Sequence, residues 1–334
     1  MKKLLLMGAV AVVVFSACAK KTETAPAAGT EQGERLLRLA YILSGNGLPL
    51  SPLTIALEKG FLEERLKVLN VRLEPQGFVG GPPLNEVIAA GGLDIATYGD
   101  VPIIAAKSNG LNTTLFGIDT YNTGAFLMVR SESSYKTLAD LAGQKIAVAT
   151  GTFAHRSLIK MLEEDGFDVS HIQLTNMATR DAATALLRGD VEAGIGSSST
   201  YLKFVQDGSL RVLKGGEERP EWNGSTGYVI VGDYGTKNPD IVDAFLQAIF
   251  DSLGFIKQNP EESTLIFSLT GLAVDELEQT YPKGYNWNIS LDEASIAAFE
   301  DIRDFMVDND LILNRFSIRD WADPSYLQAA GTKR

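Results

Sequence analysis

The sequence predicts an α/β protein of two lobes, each a mixed, mainly parallel sheet flanked by helices. Three observations carry that prediction. The first is size: 334 residues, 45% of them hydrophobic, exceed what one core organises well. The second is alternation, because short apolar runs bounded by glycine or polar turns recur between stretches of helical periodicity. The third is self-similarity: Gly91-Gly92-Leu93-Asp94-Ile95-Ala96-Thr97-Tyr98-Gly99 aligns without gaps on Gly189-Asp190-Val191-Glu192-Ala193-Gly194-Ile195-Gly196-Ser197, 98 residues on (189 − 91). In each copy a helix ends at glycine, an acidic residue opens a buried strand, and small residues close it. Such punctuation is common in α/β chains, so the repeat draws its weight from the other two observations.

Met1-Lys2-Lys3, the apolar run Leu4 to Phe15 and Ser16-Ala17 have the layout of a secretory signal over residues 1–17. The run is too short to span a bilayer. Cys18, the only cysteine, stands at the cleavage position, as in a bacterial lipobox, and is expected to carry a lipid; an ordinary signal with an incidental cysteine is the alternative. Residues 18–33, poor in large apolar groups, read as a tether.

The first unit then runs as strand Leu36–Leu43, a turn at Gly45 to Gly47, helix Pro52–Leu66, strand Val71–Pro75, helix Pro83–Ala90, strand Leu93–Ala96, helix Val101–Asn109 and strand Thr114–Ile118. The apolar stretch Ala125–Val129 leads out of it. The second unit reads as strand Lys145–Ala149, helix Ala154–Asp165, strand Ile172–Leu174, helix Asp181–Leu187, strand Glu192–Ile195 and helix Thr200–Gln206. Gly227–Val231 is the return strand, and the rest, from Asp240 to Asp308, is almost all helix.

Charge and composition exclude several classes of function. The chain holds 30 Lys plus Arg against 42 Asp plus Glu, a net charge of −12 with no long basic run, which argues against a nucleic-acid partner. One cysteine rules out internal disulfides and cysteine-based zinc sites. Two separated histidines, His155 and His171, without patterned carboxylates make no metal site, and no cofactor is expected. Neither a Gly-x-Ser-x-Gly elbow nor a Walker-type phosphate loop is present.

In an open α/β sheet, ligands meet the carboxyl ends of strands, where the next helices present open N–H groups and a positive dipole end. The turns at those places are rich in small and polar residues: Ser44 and Asn46; Phe78, Gly80 and Gly81; Tyr98, Gly99 and Asp100; Gly151, Thr152, Phe153 and His155; Ser197, Ser198 and Tyr201. Together they suit an anion or polar ligand without Lys or Arg. Capping and tight turns explain such residues singly; their joint occurrence favours a site. Phe78, Tyr98, Phe153 and Tyr201, with Tyr121 and Trp222, are candidates for stacking on the ligand or for the core. Asp100 reads as a helix N-cap or as a partner for an amine, and His155 as a donor at a helix mouth or a surface residue. Asn223, shortly before the return strand, is a further polar candidate, and Arg156 and Arg180 are the cations nearest the turns.

Taken in order, Ala56-Leu57-Glu58-Lys59-Gly60-Phe61-Leu62, Phe78 to Gly81, Leu93 to Pro102, Leu138-Ala139-Asp140-Leu141-Ala142-Gly143-Gln144-Lys145-Ile146-Ala147-Val148 and Gly151-Thr152 resemble the solute-binding proteins of ABC importers, in the nitrate, sulfonate and taurine branch that also includes binders of thiamine-pyrimidine precursors and riboflavin. The resemblance spans roughly Leu36 to Asp310. It implies a two-lobed periplasmic-binding-protein fold of type II, with crossings near Val129–Ser131 and Asn223–Tyr228, so that one lobe is 34–129 plus 229–334, with the helices after Asp240 packing back on it, and the other is 130–228. It also implies a non-catalytic, monomeric receptor in the periplasm or at the cell surface, membrane-anchored through its lipid. Such a receptor delivers a small organic ligand, organosulfonate-like, to a permease. A vitamin-type heterocycle as ligand, a sensing lipoprotein, and an enzyme of the pyrimidine-synthase kind on the same fold are the alternatives.

Overall fold

The computed structural model describes residues 33–44, 46–215, 219 and 222–333, so the expectations for the signal, the tether and Cys18 lie outside the described residues. From Glu34 onward the chain forms one compact unit. Strand β1 (Arg35–Ile42) runs parallel to β2 (Val71–Phe78) over eight residues, from Arg35 opposite Val71 to Ile42 opposite Phe78. Between them the expected single helix is two, α1 (Pro52–Glu58) and α2 (Phe61–Val68). Gly60 separates them in a left-handed conformation (φ 72°), which a side chain would resist. The Oγ of Ser51 accepts from Leu53 N at 3.2 Å, and Pro52 takes the first helical position, where its missing N–H costs nothing.

Helix α3 (Gly81–Ala89), strand β3 (Ile95–Gly99) and helix α4 (Asp100–Ser108) follow, and β3 joins the other side of β1 in parallel. Strand β4 (Thr113–Thr123) ends next to Gly124, and β5 (Ala125–Arg130) pairs with β8 (Ala193–Ser197) and β9 (Leu210–Gly215). The first crossing is therefore at Gly124, not at Val129–Ser131. An apolar run directly after a strand reads as part of the same sheet, yet Ala125, Leu127 and Val129 pack on one face of the second sheet and Phe126 and Met128 on the other. The second sheet is completed by β6 (Lys145–Val148) and β7 (Gln173–Asn176), with helices α5 (Phe153–Glu164), α6 (Thr179–Arg188) and α7 (Ser198–Gln206). Strand β10 (Gly224–Val231) already pairs with β3 and β4 from its start, which moves the second crossing to residues 222–223.

The six-stranded sheet has the order β11-β4-β10-β3-β1-β2, where β11 is Ile289–Ser290, and the five-stranded sheet has the order β7-β6-β8-β5-β9. Both follow one plan: a parallel trio, then an antiparallel strand lying next to a crossing. The repeat seen in the sequence falls on equivalent elements, because β8 and α7 stand where β3 and α4 stand, each 98 residues on (193 − 95 and 198 − 100).

Helices cover both faces of each sheet. On the first, α1, α2, α9 (Pro239–Gln258) and α14 (Ser325–Gly331) pack on one side, while α3, α4, α12 (Glu293–Asp308) and α13 (Ile318–Trp321) pack on the other. Along α9, Ile241, Val242, Phe245, Leu246 and Ile249 are wholly buried, each worth roughly 1.5–3 kcal/mol relative to exposure. The short α8 (Tyr234–Lys237) precedes α9, and α10 (Pro260–Ser268) and α11 (Val274–Thr280) form a satellite core through Phe267 and Leu277. On the second sheet, α5 covers one face and α6 with α7 the other. Among the described residues no helix is long and apolar enough to cross a membrane.

Candidate functional site at the seam between the sheets

The strand ends that lead into α4 and α5 meet across the seam between the two sheets. Asp100 is the first residue of α4 and Arg156 lies in the first turn of α5; Nη2 of Arg156 stands 3.4 Å from Oδ2 of Asp100. Asp100 is wholly buried and Arg156 is 2% exposed. Asp100 also accepts from Val101 N at 2.6 Å and Ser225 N at 3.0 Å. Arg156 donates to the Asn223 carbonyl, and the Ser157 hydroxyl donates to the Trp222 carbonyl. Gly224 presses on α5 so closely that a Cβ there would lie 2.5 Å from Cγ of Phe153. The second crossing is thus clamped between α4 and α5. Farther out, Lys160 on α5 lies over the ring of Phe305 on α12 at 5.1 Å, and Gln206 on α7 donates to Gln279 on α11 at 3.3 Å.

Two helices, α5 and α7, open onto this seam without a cap hydrogen bond from the side chain of the N-cap residue. In α5 the N-cap is Thr152, whose hydroxyl donates backwards to the Ala149 carbonyl at 2.7 Å instead of accepting from the helix. In α7 the N-cap is Ser197, whose Oγ lies 3.2 Å from Oγ1 of Thr200. Side chains cap α1 at Ser51, α12 at Asp292 and α13 at Ser317, while α4, α6 and α9 share the uncapped start, so it is the placement of α5 and α7 at the seam that sets them apart. Open N–H groups with the positive dipole end suit an anionic group. The start of α3 suits it less: Gly80 precedes Gly81, Pro82 and Pro83, and the two prolines bring no N–H. Burial pushes the Asp100 carboxyl up, against the pull of the Arg156 charge and of the Ser225 and Val101 N–H groups. Burial lowers the His155 imidazole, which keeps it neutral to lower pH; its Nδ1 stands 3.5 Å from Gly151 N, a long contact.

The aromatic candidates mostly go to the cores. Tyr98 is 1% exposed and its hydroxyl donates to Oδ1 of Asn85 at 2.8 Å; Phe78 is buried in the same cluster. Tyr201, also 1% exposed, lies across Gly194 and Gly196 beneath α6, which removes it as a stacking surface. Trp222 is buried, donating to Oε1 of Glu164 at 2.9 Å beneath the cations Lys214 and Arg219. Strand period two decides the outcome for Phe78 on β2 and Tyr98 on β3, since alternate residues at a strand end face the flanking helices and not the crevice, whereas Tyr201 is on the buried face of α7. Phe153 alone of the four main candidates stays half-buried at the seam. Asp100 is not the N-cap of α4, a position held by Gly99. Ser44 bridges to Leu48, and exposed Asn46 is tied by its N–H to the Thr270 carbonyl at 2.8 Å. The side chains of Tyr121 and Ser198 lie outside the described ones. The Oδ1 of Asn223 is buried, with no hydrogen-bond partner among the described residues. Among the described residues no group of three or more His, Cys, Asp or Glu could hold a metal ion. Two cavities of about 690 and 520 Å³ lie elsewhere, the first lined by α2, α9 and α14 and the second by α9, α10, α11 and Trp287.

Two α/β/α layers of matching strand order, joined by two chain crossings and with helix starts turned onto the seam, define a periplasmic-binding-protein fold. The chain belongs to the NMT1/THI5-like family, whose sequence profile matches residues 50–263. It is 27% identical over 320 residues, 95% of this chain and 94% of the other, to a protein of Escherichia coli (strain K12) assigned to the binding of aliphatic sulfonates. The alkanesulfonate-binding protein SsuA from Xanthomonas axonopodis pv. citri, solved bound to MOPS, superposes with a TM-score of 0.76 at 23% identity, covering 87% of this chain and 99% of that one. The desulfurization enzyme DszB shares the fold with a TM-score of 0.70 at 18% identity, covering 90% of this chain and 99% of its own.

Proposed function

We propose that this chain is an extracytoplasmic solute-binding protein of an ABC importer, taking a small organosulfonate at the seam between its sheets. The observation that carries the reading is the pair of uncapped helix starts, at Thr152 on α5 and Ser197 on α7, facing a seam already closed by Asp100 and Arg156. A sulfonate offers three acceptor oxygens and one negative charge, which N–H groups at helix starts hold without a basic side chain, at about 1.5–3 kcal/mol per charged hydrogen bond. Half-buried Phe153, and the Gly151-Thr152 turn, lie where the organic part would rest. The sulfonate binder among the relatives supports the same class of ligand.

The same reading makes the protein a receptor and not a catalyst. One lobe carries β1–β4, β10 and β11 and the other β5–β9; they close over the ligand, and the closed form docks on a permease. A lipid on Cys18 anchors it outside the cytoplasm, and replacing Cys18 by Ser should abolish labelling with a fatty-acid analogue. Native mass spectrometry of the purified protein, followed by calorimetry with alkanesulfonates, taurine and inorganic sulfate, tests the ligand. We expect an alkanesulfonate to bind and sulfate to bind far more weakly. Co-purification of a pyrimidine or flavin, with no response to any sulfonate, would replace this reading by that of a vitamin-type binder.

A further inference from the structure

We infer that Asp100 and Arg156 are positioning residues for ligand binding: their ion pair is the pivot on which the second sheet turns, and it fixes where the start of α5 stands relative to α4. The inference rests on the proposed ligand-binding reading, but its first readout needs no ligand.

The geometry is specific to the second crossing. Three consecutive positions there are held by the first five residues of α5: the Trp222 carbonyl by the Ser157 hydroxyl, the Asn223 carbonyl by the Arg156 guanidinium, and Gly224 by contact with Phe153. The next residue, Ser225, gives its N–H to Asp100 on α4. Asp100 and Arg156 then close the circuit with each other, 56 residues apart in sequence and on helices of different sheets. Gly124, at the first crossing, has a different setting, with the ring of Phe126 and the side chain of Asn223 as its nearest neighbours. One crossing is therefore riveted and the other bears no ion pair of this kind among the described contacts.

A rotation of one sheet against the other leaves groups near its axis in place and moves distant groups most. Contacts that bind a crossing strand to both helices at once lie close to any axis through that strand. The Gln206–Gln279 contact between α7 and α11 is a single exposed hydrogen bond, as a contact that breaks on opening should be. A wholly buried carboxylate facing a guanidinium that is 2% exposed cannot be parted without leaving a buried charge uncompensated, so the pair resists separation through the motion. Because Arg156 sits in the same helical turn as the N–H groups after Thr152, the pair sets the position of those groups as well.

The test uses the full chain with spin labels on exposed positions of α3 and α6, such as Glu86 and Arg188, and reads their distance distribution by pulsed electron resonance. Asp100→Asn keeps the size and one acceptor; Arg156→Gln is the second variant, should the first fold poorly. Free wild type should give narrow distributions for its open or closed form. Both variants, free of ligand, should give broadened distributions, and calorimetry with MOPS should show affinity reduced about tenfold, with the bound distance restored at saturation. A purely structural role would lower the melting temperature and leave the free-state distances unchanged; that outcome overturns the inference. If wild type binds no sulfonate, the ligand reading fails while the distance measurement still decides the pivot.

Discussion

The clamp at the second crossing can be stressed by adding one methyl group. In Gly224→Ala the new Cβ would lie 2.5 Å from Cγ, 2.8 Å from Cβ and 2.8 Å from Cδ2 of Phe153. Relief to ordinary contact requires about 1 Å of movement, and the atoms in the way are the root of the side chain, not its flexible end, so the α5 start itself must shift. Overpacking of this kind costs roughly 1–3 kcal/mol of stability. An N–H displaced by about 1 Å also loses its hydrogen bond to an anion, which is worth about 1.5–3 kcal/mol, or roughly ten- to a hundredfold in affinity. The control is Gly254→Ala, inside α9 toward its C-terminal end, where the nearest atom to a new Cβ is Nε2 of Gln258 at 4.0 Å. There alanine should stabilise the helix by about 0.5–1 kcal/mol and leave binding alone. Thermal unfolding and calorimetry with an alkanesulfonate read both. If Gly224→Ala binds as wild type does, with a melting temperature within a degree of it, the clamp does not position α5 and the reasoning is wrong.

Two further outcomes follow from the site and its surroundings. Tyr98→Phe should cost about 1 kcal/mol, by leaving Oδ1 of Asn85 without its 2.8 Å donor, and should not change ligand affinity; a large affinity loss in calorimetry would return Tyr98 to the binding surface. In acid the protein should lose stability as pH falls below about 4: Asp240 is held low by its hydrogen bond to Arg35, Asp304 by Arg303 and Asp292 by the Ser295 N–H, and such groups stabilise fully above the unfolded carboxylate value of about 3.9 and lose that contribution as pH falls through their lowered native values. Asp100, pushed up by burial, acts in the opposite sense, its ionisation costing stability as pH rises even with Arg156 beside it, so a melting temperature that rises from pH 5 to pH 3 would mean that it dominates.

Much of the fold was legible because period and punctuation are local. The repeat at Gly91 and Gly189 located β3 with α4 and β8 with α7, since a glycine stop and an acidic strand opening recur where the chain geometry recurs. What stayed hidden depends on pairing. Ala125–Val129 is apolar on both faces and so carries no mark of which sheet it joins. Strand β9, half-exposed, and β11, two residues long, give too little pattern to see. The site divided in the same way: its helix starts were visible as small polar turns, but the orientation of each aromatic was not. Gly194 and Gly196 on a buried strand did hold a sign, since such spacing marks room for a large neighbour, here Tyr201. Arg156 was noticed as a cation near the turns, yet its union with Asp100 exists only in three dimensions.

That union also decides how the site should respond to salt. The chain carries a net charge of −12, so an approaching sulfonate is repelled at long range. At the seam the Arg156 charge is met by Asp100 within 3.4 Å, and attraction for the anion is left to helix N–H groups, whose dipole field fades within a turn of the helix. Screening therefore removes more repulsion than attraction. Raising ionic strength from about 0.01 M to about 0.15 M shortens the Debye length from roughly 30 Å to roughly 8 Å, and association should become faster or stay the same while dissociation is unaffected. Stopped-flow binding of an alkanesulfonate at the two salt concentrations measures this directly. A tenfold loss of affinity at the higher salt would show an unpaired basic group gripping the ligand, and would overturn the assignment of the α5 and α7 starts as its holders.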